Sequence, residues 1–280
     1  MDLYTRLSHS TARYFTKQYS TSFSLSTQLI APEYRQAIYD IYGLVRVADE
    51  IVDTYKGPAM NELLSELEAD VQRGIAIGYS ANPIVHAFIS TAKIYKLDTS
   101  LLAPFFASMR ADITKTRFTA EEYTTYIYGS AEVVGLLCLG VFTSQNFSLY
   151  QKLIPGARAL GAAYQKVNFL RDIASDYHER GRWYFPYGSF ETFDETLKQQ
   201  IITECQADFI CAQQAISQLP ASSRSAVELS YRYYSALLER LSATSAADIK
   251  SGVRVRVPVH TKTAYLGRSL FNFRKKRHTA

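Results

Sequence analysis

Two pairs of aspartates are the residues of this chain whose type and spacing point to chemistry: Asp49 with Asp53, and Asp172 with Asp176, each written Asp-x-x-x-Asp. Both stretches have helical periodicity, and on a helix an i, i+4 spacing brings two carboxylates to one face, ~5–6 Å apart at Cβ. Carboxylates that close repel each other unless a cation lies between them. A hard divalent ion with oxygen ligands, Mg²⁺ above all, suits such a pair and usually brings substrate phosphates with it. Two such faces opposed across a cavity would hold a diphosphate through bridging metals.

The ordinary setting of acids four apart is a solvated helix face, and the flanks argue against it here. Residues 37–48, before the first pair, are hydrophobic almost all round, as in a buried helix. Within and beyond residues 160–171, Gln165, Asn168, Asp172, Asp176 and Glu179 recur by threes and fours as one polar stripe on a second apolar helix. A polar stripe on a buried helix needs partners, because burying unpaired charge is costly. Metal and phosphate would supply them.

The elements that must position these faces read as helices almost throughout. Pro32 falls where a first helical turn would begin, and apolar positions then recur with helical spacing to about residue 55. Asn82-Pro83 is a cap followed by proline and opens a helix to about residue 95. Thr119 with Glu122 has the pattern of a capping box; the helix it starts carries Tyr123, Tyr126 and Tyr128, then an apolar run over 133–139. Further helices are expected over about 98–114, 148–180, 195–217, 222–242 and 262–276. Residues 253–257 alternate Val and Arg but have no evident partner strand. The expected class is all-α, a single helical domain over 1–280 with a central cavity between the two Asp-rich helices. Glycine inside a helix costs up to ~1 kcal/mol against alanine. The small residues Gly129, Ser130, Ala131, Gly135 and 161–163 therefore signal either close helix approach or room for a long apolar ligand.

Composition narrows the classes. At 280 residues and 47% hydrophobic the chain can bury a large core, and no linker, low-complexity tract or solenoid repeat divides it. A formal charge of +5 is modest and points to no nucleic-acid partner; much of it lies in Arg268, Arg274, Lys275, Lys276 and Arg277. Three cysteines without metal-ligand spacing suit a reduced, cytoplasmic setting. The N-terminus has no signal-peptide apolar stretch, and no run reaches ~18 uninterrupted apolar residues, so no membrane span is expected. The tail over 262–280 mixes Phe271 and Phe273 with the basic run, a composition that could rest on anionic lipid as a peripheral contact. His178 is expected at a solvated helix end, and His86 packed or at the surface.

Taken in order, these motifs resemble the squalene/phytoene synthase family of head-to-head prenyl transferases, over about residues 19–258. Tyr19-Ser20-Thr21-Ser22-Phe23 resembles the family's N-terminal flap over substrate diphosphate. Tyr42, Arg46, Asp49 and Asp53 fall on its first Asp-rich helix, and Tyr128 in its central segment Tyr-Gly-Ser-Ala-Glu-Val-Val-Gly. Gln165, Asn168, Arg171, Asp172 and Asp176 match the second Asp-rich helix; 182–186 resembles the segment after it, and Tyr234 a pocket tyrosine. The wording of residues 128–135 and 165–172 is most like that of short bacterial phytoene synthases. The chain departs from many relatives in having Val47 after Arg46, Glu50 where Asp is common, and Thr21 in place of a frequent lysine.

The resemblance implies an isoprenoid-synthase fold and a Mg²⁺-dependent prenyl transferase of the 15-cis-phytoene synthase type, with Mn²⁺ as an alternative ion and no NADPH. Asp49, Asp53, Asn168, Asp172 and Asp176 would be the metal ligands. Tyr19, Ser20, Thr21, Ser22, Tyr42, Arg46, Gln165, Arg171 and Tyr234 would contact substrate, and Tyr128 would join the four aspartates in catalysis. The implied reaction joins two geranylgeranyl diphosphates through a cyclopropyl diphosphate to phytoene, in carotenoid biosynthesis, with downstream carotenoid enzymes as candidate partners. Farnesyl diphosphate as substrate, giving dehydrosqualene or squalene, is the alternative; a non-catalytic lipid- or partner-binding relative is the reading from another class.

Overall fold

The computed structural model describes residues 1–19, 26–258, 260–265 and 267. Every element among them is helical. Helix α1 (Leu3–Tyr19) packs on α2 (Pro32–Asp53) and on α4 (Pro83–Tyr95), with α3 (Met60–Ile77) between the latter two in sequence. A 3-10 turn (Thr99–Leu101) leads into α5 (Leu102–Thr114). Next come α6 (Ala120–Ile127), a π-helical turn (Tyr128–Glu132) and α7 (Val133–Thr143), which follow one another without a break. The long α8 (Phe147–Arg180) packs along that composite helix and along α9 (Glu195–Ile216), and α10 (Ala221–Ala243) and the short α11 (Ala246–Lys250) complete the bundle. No strand forms among the described residues; 253–257 runs extended without a ladder.

The local signals act as expected. The Asn82 side chain accepts from the Ile84 and Val85 amides, and Pro83 opens α4. The Thr119–Glu122 capping box forms with both reciprocal bonds. Three helices among the described residues, α1, α3 and the short α11, lie outside the expected set. In α3, Leu64, Leu67 and Val71 do face the core at helical spacing. In α1 the buried positions are Thr5, Ser8, His9, Ala12 and Thr16, so the inward face has no apolar period to read. The C-terminal helix expected over 262–276 falls largely outside the described residues.

The small residues of the central helices meet both expectations: Ser130, Ala131, Gly135 and Gly161 line a cavity, and the glycines allow close approach. An ideal Cβ on Gly129 would overlap the Pro104 carbonyl oxygen and Ser108 Oγ of α5, and one on Gly161 would stand 2.7 Å from the Ala131 carbonyl. The glycines thus let α5, the π turn and α8 meet backbone to backbone. The composite helix Ala120–Thr143 is long and apolar enough to cross a membrane, with a mean hydropathy of 1.5 in its most apolar window. Over half of that window is buried in the bundle, which accounts for its composition. The cysteines Cys138, Cys205 and Cys211 are free thiols.

Candidate active site

Helices α2 and α8 form facing walls of a cavity of about 1060 Å³. Its chemistry changes in the same direction along both. On α8 the lining runs from Leu153 through Ala157, Leu160 and Tyr164 to Gln165, Asn168, Asp172, Asp176 and Glu179. From Leu153 to Asp176 is about 35 Å at 1.5 Å per residue. On α2 it runs from Ile38 through Tyr42 and Val45 to Arg46, Asp49 and Asp53. All five residues of the expected polar stripe therefore face the cavity. The acidic end coincides with the C-termini of both helices, where backbone dipoles place negative potential equivalent to roughly half a charge each. Aspartates added to two such ends make a strong cation trap.

The charges there are held by arginines. Arg180 Nη1 lies 2.9 Å from Asp53 Oδ1 and 3.9 Å from Asp176 Oδ1, so one guanidinium reaches acids on both walls. Gly181, with φ +66, turns the chain after α8, and Arg182 Nη1 comes within 3.9 Å of Asp53. Arg171 pairs with Asp172 through two N–H donors. Arg46 pairs with Glu50 and lies 3.7 Å from Asp49, while its Nε is buried without a hydrogen-bond partner among the described residues. Even so, burial and the neighbouring Asp53 push the Asp49 carboxyl up to about 7. Burial and Asp172 do the same to Asp176, also to about 7. Among the described residues no three His, Cys, Asp or Glu side chains close into a metal-sized cluster. The donor set is nevertheless all oxygen, spread over two facing helix ends and short of positive charge, which fits a hard divalent ion bridged by further oxygens of a ligand.

The structure brings some of the expected residues to the cavity and not others. Tyr42, Arg46, Asp49, Asp53, Gln165, Asn168, Arg171, Asp172 and Asp176 all line the cavity. Tyr128 does not: its ring lies under Arg158, 5.1 Å from the guanidinium carbon, and Tyr126 takes the cavity position instead. Two residues apart on a helix is about 200°, so only one of the two tyrosines can face inward. The lining stripe Tyr126, Ser130, Val134, Cys138 steps by fours, a signal present in the sequence. Tyr234 stands one layer back, stacked on the cavity residue Tyr164 with centroids 3.9 Å apart, its hydroxyl 3.4 Å from Asn168 Oδ1. Tyr19 is not among the lining residues; its ring lies 4.7 Å from the guanidinium carbon of Arg46, which is. Ser20, Thr21 and Ser22 lie outside the described residues, as does the basic tail from 268 onward. His178, expected in solvent, lines the cavity rim, and His86 is buried beside Thr5.

Sequence reasoning missed a buried cluster behind the acidic end. Asp112 of α5, 6% exposed, accepts from the Tyr126 hydroxyl at 2.7 Å and the Tyr184 hydroxyl at 3.2 Å. Arg182 binds its backbone carbonyl and lies 3.5 Å from its carboxylate. Burial pushes Asp112 up to about 6 in spite of Arg182 and the tyrosine donors. Tyr184 stacks face to face on Phe169, centroids 3.9 Å apart, so the cavity wall beside the acids is aromatic. No local spacing links 112, 126 and 182–184; packing of three elements does.

With this geometry in place, comparison with known proteins is specific. The family model for Squalene/phytoene synthase matches residues 16–261. A 15-cis-phytoene synthase of Synechocystis sp. is 35% identical over 192 residues, 65% of this chain and 56% of that protein. A phytoene synthase of Arthrospira platensis is 33% identical over 204 residues, 68% of this chain and 64% of that protein. The aligned regions thus span somewhat over half the length of these two relatives. Among solved structures, a dehydrosqualene synthase superposes with a TM-score of 0.81 at 19% identity, covering 97% of this chain and 98% of its own. A squalene synthase from Alicyclobacillus acidocaldarius gives 0.75 at 21%, covering 91% and 98%. At those identities the likeness is one of fold, and it is the all-α fold expected.

Proposed function

Because the chain belongs to the squalene/phytoene synthase family, we propose that it is a prenyl transferase joining two geranylgeranyl diphosphates head to head to give phytoene. The observation that carries this reading is the graded cavity, acidic at one end and apolar along the rest. Its volume of about 1060 Å³ lies just above the ~300–1,000 Å³ range of small-molecule sites, as room for two long tails requires. Residues 1–280 are read as one prenyl synthase domain, in keeping with α8 packing on helices from both halves of the sequence.

Asp49, Asp53, Asn168, Asp172 and Asp176 would hold Mg²⁺, or Mn²⁺, which supplies charge neutralisation to the departing diphosphate. Arg46, with its unsatisfied Nε, and Arg171 would add donors to phosphate oxygens. Tyr42, Tyr126 and Phe169 line the wall next to the acids and present π faces to an allylic cation, each worth ~0.5–2 kcal/mol. Tyr234 would act through Asn168, holding its amide toward the cavity. The apolar walls exclude water that would quench the cation to an alcohol. Two ionisations each release diphosphate; forming the cyclopropyl intermediate and then the linear product each releases a proton, to a tyrosine hydroxyl or to diphosphate.

The test is a product assay with Mg²⁺ and no NADPH, offering geranylgeranyl and farnesyl diphosphate separately. A C40 hydrocarbon with a triene chromophore, from the C20 substrate alone, is the expected result. A C30 hydrocarbon from farnesyl diphosphate would move the protein to the dehydrosqualene branch, and no hydrocarbon from either would overturn the catalytic reading.

The acidic end also dictates how metal and pH interact. A carboxyl raised in the folded state stabilises the fold at low pH and loses that contribution as pH rises toward the folded value. For Asp49 and Asp176 the window runs from about 4, the unfolded value, to about 7. The metal-free protein should therefore lose Tm between pH 5 and pH 8. Mg²⁺ competes with those protons, so the Tm rise it produces should be larger at pH 8 than at pH 5.5. Scanning calorimetry at both pH values checks this; a Mg²⁺ shift of equal size at the two would contradict it.

A further inference from the structure

Helix α1 is built inside out. Its buried side is Thr5, Ser8, His9, Ala12 and Thr16, and its outward side carries Leu3, Leu7 and Tyr14, which are 63%, 56% and 68% exposed. At 100° per residue those three fall within about 40° of one another, opposite the buried positions. Polar contacts hold the inner face. His9 Nδ1 lies 2.8 Å from Asp40 Oδ2, Thr5 Oγ1 lies 3.0 Å from His86 Nε2, and Thr16 Oγ1 lies 3.4 Å from the Tyr39 carbonyl of α2. Fixing the helix to the bundle therefore does not call for the exposed leucines and tyrosine. Beside the apolar stripe, on one flank, Arg6, Arg13 and Lys17 form a cationic row, and all three are exposed. Of the acids near this helix, Asp70 is paired with Arg73 and also accepts from Ser80, while Asp2 accepts from the Thr5 amide and hydroxyl and keeps its charge, so the three cations leave the flank net positive.

We infer that α1 is a docking surface for an anionic lipid bilayer, lying in the interface with Leu3, Leu7 and Tyr14 among the acyl chains. Charge decides the partner. An apolar stripe bordered by three cations against the single charge of Asp2 complements a negatively charged surface that is itself apolar beneath. A second copy of this helix would instead bring like charges together. Tyr79, 50% exposed, stacks on Tyr4 at the N-terminal end of the helix, with centroids 5.3 Å apart, and extends the aromatic area there. At the other end Tyr19 covers Arg46, which lines the cavity. A bilayer against α1 thus reaches the Tyr19 end of the helix, beside a residue that lines the cavity, where a membrane-partitioned amphiphile would arrive.

The experiment is vesicle flotation of the full chain with phosphatidylcholine alone and with phosphatidylcholine plus phosphatidylglycerol. The wild type should float with the anionic vesicles and scarcely with the neutral ones. The variant Leu3→Ser/Leu7→Ser/Tyr14→Ser should lose about tenfold or more of that binding. Arg6→Gln/Arg13→Gln/Lys17→Gln should lose a similar factor on anionic vesicles only. Circular dichroism and turnover on detergent-dispersed substrate should be unchanged, since none of the six residues lines the cavity. Triple variants that bind as the wild type does would overturn the assignment and move any membrane contact to the tail. A wild-type dimer in sedimentation that the apolar variant abolishes, without vesicle binding, would overturn it in favour of a self-interface.

Discussion

Asp176→Asn is expected to cost about a thousandfold in turnover, and Asp49→Asn as much, while both variants fold. Each carboxylate stands at the acidic end of the cavity against a second one four residues away, and each is held toward its neutral form by burial and that neighbour. In the metal-free protein at pH 8 the charge is therefore a cost, and the neutral amide removes it. Metal-free Tm should rise in both variants, and the increment produced by Mg²⁺ should shrink. That opposite movement separates loss of a ligand from general damage, which would lower Tm and turnover together. Full turnover with an unchanged Mg²⁺ increment would remove these two residues from the site. Arg180→Gln makes the complementary case: the guanidinium that spans Asp53 and Asp176 competes with a metal for them, so its loss should destabilise the metal-free form and tighten Mg²⁺ binding.

Gly129→Ala is expected to destabilise the fold by about 3 kcal/mol, toward the top of the overpacking range. Alanine would normally gain up to ~1 kcal/mol over glycine in a helix. Here the new methyl would overlap the Pro104 carbonyl, a backbone atom of α5 that cannot move aside alone. Ser108, the other group it would meet, donates to the Tyr126 carbonyl at 3.1 Å, so the disturbance also reaches the cavity tyrosine. Gly43→Ala is the control: the nearest atom to its Cβ is a side-chain methyl at 3.4 Å, an ordinary contact. A midpoint lower by roughly 6–12 °C for Gly129→Ala and almost unchanged for Gly43→Ala is the expected pair of thermal scans. Equal stability of the two would mean that the π turn and α5 are not held by that contact.

Much of the bundle and of its acidic end was legible because the signals are local. Asn82-Pro83 and Thr119 with Glu122 mark helix starts through bonds made within three residues, and these form as read. The stripe from Gln165 to Glu179 needed only the helical period, since all five side chains share one face of α8. Helix α1 was not legible for the converse reason. A helix is recognised by an apolar inner face, and here the inner face is Thr5, Ser8, His9, Ala12 and Thr16. Tyr128, named from the resemblance, and Tyr126 lie in the same segment, and its contacts with α5 and α8 settle which side turns inward.

Residue types and their period along the chain were enough for the all-α class, for two helices with paired carboxylates, and for a polar stripe beside apolar ones on the second. Those are properties of residue type and period along one element, and they survive without knowing what the element touches. The tertiary structure alone decided that the two acidic helix ends meet, that Arg180 spans them, and that Asp112, Tyr126, Arg182 and Tyr184 form one buried cluster behind them. It also decided that α1 turns its leucines outward. Each of these depends on contacts between residues far apart in the chain. Such contacts are set by packing, by the total burial and the backbone approach that the glycines permit, and no local spacing records them.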